Sequence, residues 1–416
     1  MNKSLLKKYA RLIVRVGANV QRGNRVVIYA DTEQSELAVE VARDAYRCGA
    51  EHVAVEWGND ALTRLHYTHR MTDVMAEVAR WEKEKMKDMS ERLPCRIYID
   101  SDDPDLLRGI SQEKIRAVQS ARVKAFKPYR DAMENKHPWT IAAAPSKAWA
   151  KKIFPDLTPA KAVDALWNAI LKSVHVSPDA DPVKEWAALN EGFRAKCEWL
   201  NKNNFAAMEY TSSNGTNLLV GLIQGVQWLG GGESTMDGHF FNPNLPTEEI
   251  FTSPKAGAAS GKLVSTKPLS YNGQLIENFS ITFEQGKAVS WEAEKGKAML
   301  DQLLSMDEGA RMLGELALVS KQSPINRSGI LFYNTLFDEN ASCHVALGFG
   351  FTNLYPGFEN MTRQELTERG INDSLIHVDF MIGCDDLTVT GIRGDGSRVK
   401  VFENGDWAAN VTNGDN

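Results

Sequence analysis

Two histidines, an aspartate and a handful of glutamates in the second half of the chain are the residue types from which a hydrolytic metal centre can be built. His377 and Asp379 lie in the apolar run Leu375–Ile382. Side chains alternate faces along a strand, so His-x-Asp spacing sets imidazole and carboxylate on one side, about 6–7 Å apart. One metal ion or a close pair could bridge that span, although a structural hydrogen-bonded pair would look the same. An unpaired carboxylate in so hydrophobic a strand costs on the order of several kcal/mol, so something should compensate it. His344, in Ala341–Gly348, is a second candidate on a strand, set against the reading of a satisfied core histidine. Cys343 beside it faces the opposite way.

Glutamates come from two places. Glu248 and Glu249 sit in a proline-bracketed loop, Asn242–Pro254, where they could equally cap a short turn. Glu315 falls in Asp307–Val319, whose spacing predicts a helix with Glu315 near its apolar face. One of the paired glutamates, Glu315, the two histidines and Asp379 together offer oxygen and imidazole donors suited to Zn²⁺, Co²⁺ or Mn²⁺, with positions left for water. No thiolate is in the set, which argues against a closed structural zinc. Two close ions would activate a water and hold a scissile carbonyl, and a neighbouring carboxylate would move the proton to a leaving amine. Elsewhere, no serine sits in G-x-S-x-G, His66 and His69 read as a solvated helix face, and His239 could approach the loop of Glu249.

The elements around these residues suggest two domains, 1–204 and 205–416, since 416 residues exceed one comfortable core. The first reads as α/β, with an open, doubly wound parallel sheet. Arg25–Asp31, His52–Trp57, Arg96–Asp100 and Trp139–Ala144 are strand-like, and helical segments such as Glu36–Tyr46, Thr72–Met89 and Gln112–Glu134 lie between them. No G-x-G-x-x-G follows the first strand, so a dinucleotide is not expected. The second domain reads as antiparallel α+β, with hairpin signals at Asn214-Gly215 and Asn272-Gly273 and a frayed end at Asn410–Asn416. A net charge of −6 with scattered basic residues disfavours nucleic acid. The amphipathic start is unlike a signal peptide, no run reaches the length of a membrane span, and five widely spaced cysteines fit a reducing cytoplasm.

Several stretches resemble the thermophilic-type metallo-aminopeptidases: NLPTEEIFTSP (Asn244–Pro254), Val264–Lys287, EGARMLGELALV (Glu308–Val319), Gly329–Gly348 and SLIHVDFMIGCDD (Ser374–Asp386). The resemblance covers the second domain and, more loosely, the first. It implies a cytoplasmic homodimer with a dinuclear zinc or cobalt site that removes N-terminal residues from short peptides. Carried over residue by residue, it makes Glu249, Glu315, His344, His377 and Asp379 the metal ligands, with Glu315 doubling as the catalytic carboxylate and Glu248 a second candidate for the proton. The family also places a tyrosine seven residues after the first ligand histidine. This chain has Phe351 there: either Tyr355, four positions on, takes its place as the catalytic hydroxyl, or the hydroxyl is missing. Some relatives of this scaffold instead open dihydroxypyridine rings with one Fe(II), for which His344, His377 and Asp379 would suffice as a facial triad.

Overall fold

The computed structural model describes residues 2–271 and 274–412. The Asn272-Gly273 turn lies outside them, as do residues 413–416 of the expected frayed end; Asn410–Thr412 belong to a short helix, Ala409–Thr412. The chain forms two compact units, residues 1–187 with 232–246 and residues 188–231 with 247–416. This differs from a single boundary at 204/205. The division falls within the helix Pro182–Asn203, and the chain re-enters the first unit because Asn244–Leu245 adds a strand to its sheet.

In the first unit β1 (Arg25–Asp31), β2 (His52–Gly58), β3 (Cys95–Asp100) and β4 (Trp139–Ala143) pair in the order β2-β1-β3-β4, with Asn244–Leu245 beside β4. Every pairing is parallel. The β-branched runs make these strands, and the helix Ser35–Arg47 buries Leu37, Val41 and Ala45 while packing on β1 and β2. That helix ends at Gly49, whose φ of +89° is open to glycine at no steric cost. Thr72–Met89 is two helices, Thr72–Ala76 and Arg80–Arg92, because the Glu82 carboxylate accepts the Ala79 N–H at 3.0 Å and starts a new helix.

The second unit holds two antiparallel sheets around a shared apolar core that includes Phe279, Phe283, Leu316, Leu318, Val345 and Phe380. The larger sheet contains the Ala207–Thr211/Asn217–Leu222 hairpin and the long strands Pro254–Val264, Gln274–Glu284 and Lys287–Lys295. The smaller is built from β5 (Glu249–Thr252), β6 (Leu313–Val319), β7 (His344–Gly348) and β8 (His377–Met381), in the order β8-β7-β6-β5, with Leu229–Gly230 at the edge next to β5. Here β6 replaces the helix expected over Asp307–Val319. All seven of its residues are buried, so no apolar/polar alternation marks it as a strand.

Candidate metal centre

Each of the four strands of the smaller sheet contributes to one face. Glu249 pairs with Val319, Glu315 with Ala346, Ala317 with His344, and Ala346 with Asp379. Directly paired residues share a face, as do residues two apart. Glu249, Glu315, His344, His377 and Asp379 therefore project together, with the small residues Ala317 and Ala346 between them. Glu249, Glu315 and His344 are 9%, 4% and 1% exposed.

The side chains meet in pairs. His344 Nε2 lies 3.3 Å from Glu249 Oε2, and His377 Nε2 lies 3.0 Å from Glu315 Oε2 and 3.3 Å from Asp379 Oδ1. Donor atoms fall into two compact trios, Glu249–Glu315–His344 and Glu315–His377–Asp379, each with its ligand atoms within 4.8 Å of one another, and Glu315 is common to both. Among the described residues, His344, His377 and Asp379 do not form such a trio.

Backbone carbonyls orient both rings. His377 Nδ1 is 2.7 Å from Phe349 O and His344 Nδ1 is 3.2 Å from Ser342 O. A carbonyl only accepts, so Nδ1 carries a proton in each ring and Nε2 is turned toward the carboxylates, the tautomer a metal ligand needs. Gly314, at an irregularity in the β6–β7 register, permits this: a Cβ there would lie 2.3 Å from Gly348 O and 2.3 Å from Phe349 O.

Electrostatics mark the same place. Burial raises the Glu315 pKa to about 7, only partly offset by its hydrogen bond with His377. Burial alone would lower both histidines, yet hydrogen bonding and attraction to Glu249 push His344 up to about 10, and Asp379 with Glu315 push His377 up to about 11. Asp379 is held below its ordinary value, burial being outweighed by His377. Its Oδ1 is nevertheless buried without a well-formed hydrogen bond. Clustered carboxylates, two Nε2 atoms aimed at them and an orphaned oxygen fit divalent cations, which would replace the protons now holding the cluster together.

The whole chain, not the site alone, decides its kinship. Residues 2–407 match the thermophilic metalloprotease (M29) family.

The chain belongs to that family.

Among curated proteins it is 43% identical to aminopeptidase PepS of Streptococcus thermophilus, covering 97% of this chain and 98% of that one. It is 41% identical to aminopeptidase AmpS of Bacillus subtilis over the same shares. The solved structure of wild-type AmpT from Thermus thermophilus superposes with a TM-score of 0.90 at 36% identity, covering 98% of this chain and all of the other. A 2,5-dihydroxypyridine dioxygenase from Pseudomonas putida KT2440 superposes with a TM-score of 0.52 at 11% identity over 98% of each chain, a likeness of fold alone.

Other candidate residues of this M29 member lie elsewhere. The Tyr355 hydroxyl accepts a hydrogen bond from Arg369 Nη1 at 2.8 Å, and its ring lies under the same guanidinium. Phe351 takes the place beside the His377 imidazole, ring centroids 4.9 Å apart. Glu248 precedes β5, and its charge acts on Lys196. His239 belongs to the first unit, its Nε2 2.8 Å from Asn19 O. His66 and His69 close the helix Asp60–His69 and join no ligand trio among the described residues.

One acidic residue escaped the sequence reading. Glu339, in the short helical turn before β7, has its pKa pushed well up by burial and by the charges of Glu249 and Asp379. It lines a cleft of about 60 Å³ together with Asp379. The adjacent Asp338-Glu339 gave no strand or helix period to mark it, and only its position five residues before His344 could have drawn attention to it.

Proposed function

We propose that this M29 hydrolase is an aminopeptidase acting on short peptides through a pair of divalent cations, Zn²⁺ or Co²⁺, with Mn²⁺ a further candidate. The observation that carries the reading is the sharing of Glu315 between two donor trios. Glu249, His344 and Glu315 would hold one ion, and Glu315, His377 and Asp379 would hold the other. Such ions supply Lewis acidity toward the scissile carbonyl and lower the pKa of water.

What the chain itself does follows from its geometry. Ser342 O and Phe349 O hold both Nε2 atoms in place, so little reorganisation is needed on binding. A carboxylate shared by two cations is held ionised, so we assign the proton to Glu339 instead of Glu315 or Glu248. Glu339 lines the cleft beside Asp379, where burial and neighbouring carboxylates raise its affinity for a proton. Ionised by the positive charge of nearby cations, its carboxylate would take the proton from the attacking water and give it to the leaving amine nitrogen as the C–N bond breaks.

The reading includes a cytoplasmic homodimer, for which sedimentation at twice the chain mass is the check. Among the described residues no helix is long and apolar enough to cross a membrane, and the five cysteines are unpaired. The decisive experiment is hydrolysis of leucine or arginine anilide by the purified protein. Activity that disappears with chelator and returns with Co²⁺ supports the proposal; no turnover of any peptide or anilide after metal loading rejects it. A ring-opening Fe(II) enzyme would instead bind one iron per chain.

A further inference from the structure

Beyond the metal ligands, the cleft that reaches Asp379 and Glu339 is also lined by Lys267, Leu269 and Met381. Lys267 sits in the bend between Pro254–Val264 and Leu269–Tyr271. The preceding residue ties that bend to β8, Thr266 N–H donating to Met381 O at 2.9 Å. The bend that carries Lys267 is thus anchored at Met381, two residues along the strand from Asp379, a step of about 6–7 Å.

The lysine has no partner of its own. Among the described residues its ammonium makes no hydrogen bond and no ion pair; the charge acting on it is that of Asp338. Asp338 is already engaged, its Oδ1 accepting the Phe332 N–H at 2.8 Å and its Oδ2 the Asn334 N–H at 3.0 Å. Burial holds the Lys267 pKa below the ordinary lysine value, and the charge of Asp338, which lines the same cleft, only partly opposes it.

The charged lining of the cleft is Asp338, Glu339 and Asp379 together with one ammonium, that of Lys267, which among the described residues has no hydrogen bond or ion pair to any of them. Pro268, Leu269, Leu331 and Phe380 supply apolar wall. We infer that Lys267 is a recognition residue for a substrate carboxylate, orienting a short peptide with its N-terminal amine at the carboxylate-rich centre and its carboxylate on the lysine. The carboxylate can be the peptide's own C-terminus or an acidic side chain following the cleaved bond. The inference rests on the aminopeptidase reading and adds to it a preference that the metal centre alone would not produce.

The test compares kcat/KM for a leucyl dipeptide as free acid and as C-terminal amide, in the metal-loaded wild type, Lys267→Met and Lys267→Arg. A third substrate, a leucyl-aspartyl amide, separates the two carboxylate sources. The wild type should favour the free acid by about 10- to 100-fold, the range of a charge-assisted hydrogen bond. Lys267→Met should bring the acid-to-amide ratio near one, and Lys267→Arg should retain most of it. Preference transferred to the aspartyl amide would assign the side chain as the source. A wild-type ratio near one for both carboxylates, or a preference undiminished in Lys267→Met, overturns the inference while leaving the aminopeptidase intact. Failure of every substrate, the amide and an anilide included, rejects the aminopeptidase reading and this inference with it.

Discussion

Two regions of this molecule gather acidic side chains, and they do so to different ends. At the carboxyl ends of β1, β2 and β3 in the first unit, Asp31 and Asp103 lie close enough to Asp60 to raise its pKa, after burial as the chief cause. Their oxygens are taken by backbone amides: Asp31 accepts from Glu33 and Asp60, Asp60 from Asp103, and Asp103 from Asp105, at 2.8–3.2 Å. This cluster ties loops together, and no donor trio forms there among the described residues. In the second unit the carboxylates face imidazoles, Asp379 Oδ1 lacks a well-formed hydrogen bond, and the donor atoms converge. Negative charge alone does not make a metal site. A site appears where carboxylates are left with spare lone pairs and interleaved with oriented nitrogen donors.

The contrast is broken most sharply by exchanging one carboxylate in each region. Glu315→Gln removes the ligand common to both trios and should lower anilide hydrolysis by about 10²- to 10⁴-fold, with loss of bound metal. Asp60→Asn should leave metal content unchanged and kcat/KM within about twofold, as for a substitution removed from the chemistry. Equal losses in both variants would erase the distinction.

A subtler change leaves all ligands in place. Gly314→Ala pushes a methyl group against Phe349 O, the acceptor that orients His377. Metal affinity should fall by about 10- to 100-fold, the usual effect of losing an orienting partner, as read by competition with a chromophoric chelator. An unchanged affinity would show that the carbonyl does not orient the ring.

Protons sharpen the same comparison. In the metal-free protein His344 and His377 titrate at about 10 and about 11, so a cation must displace their protons. Metal affinity should therefore rise between pH 6.5 and 9, by up to about tenfold per pH unit for each proton displaced. The folded-state values are raised above the unfolded one. The stability they give the chelated protein is accordingly full below about pH 6.5 and lost as pH rises through 10 to 11. Calorimetry of chelated and metal-loaded samples should show that loss only in the former. The smallest effect is expected from Tyr355→Phe, whose hydroxyl serves Arg369: kcat should change by less than about twofold. A loss of about 10²-fold, as for an oxyanion donor, would return Tyr355 to the reaction.

Much of this was legible in the sequence because local rules suffice for it. β-branched runs located β1 to β4, and the two-residue period of a strand set His377 and Asp379 on one face. Glu315 shows where such rules end. Met312-Leu313-Gly314-Glu315-Leu316-Ala317 is rich in good helix formers, and a strand buried on both faces has no alternation to oppose them. Tertiary pairing with β5 and β7 decided the outcome. The fifth strand of the first sheet was hidden for a related reason: Asn244–Leu245 is two residues long and pairs across about a hundred positions with β4. Glu339 was missed because a short helical turn carries no period at all.

The central claim is that Glu315 serves two cations at once. Counting divalent ions per chain after metal loading and exhaustive dialysis tests it most directly, on the wild type and Glu315→Gln together. Two ions in the wild type and at most one in the variant is the predicted result. One ion per wild-type chain, or two retained without Glu315, would contradict it.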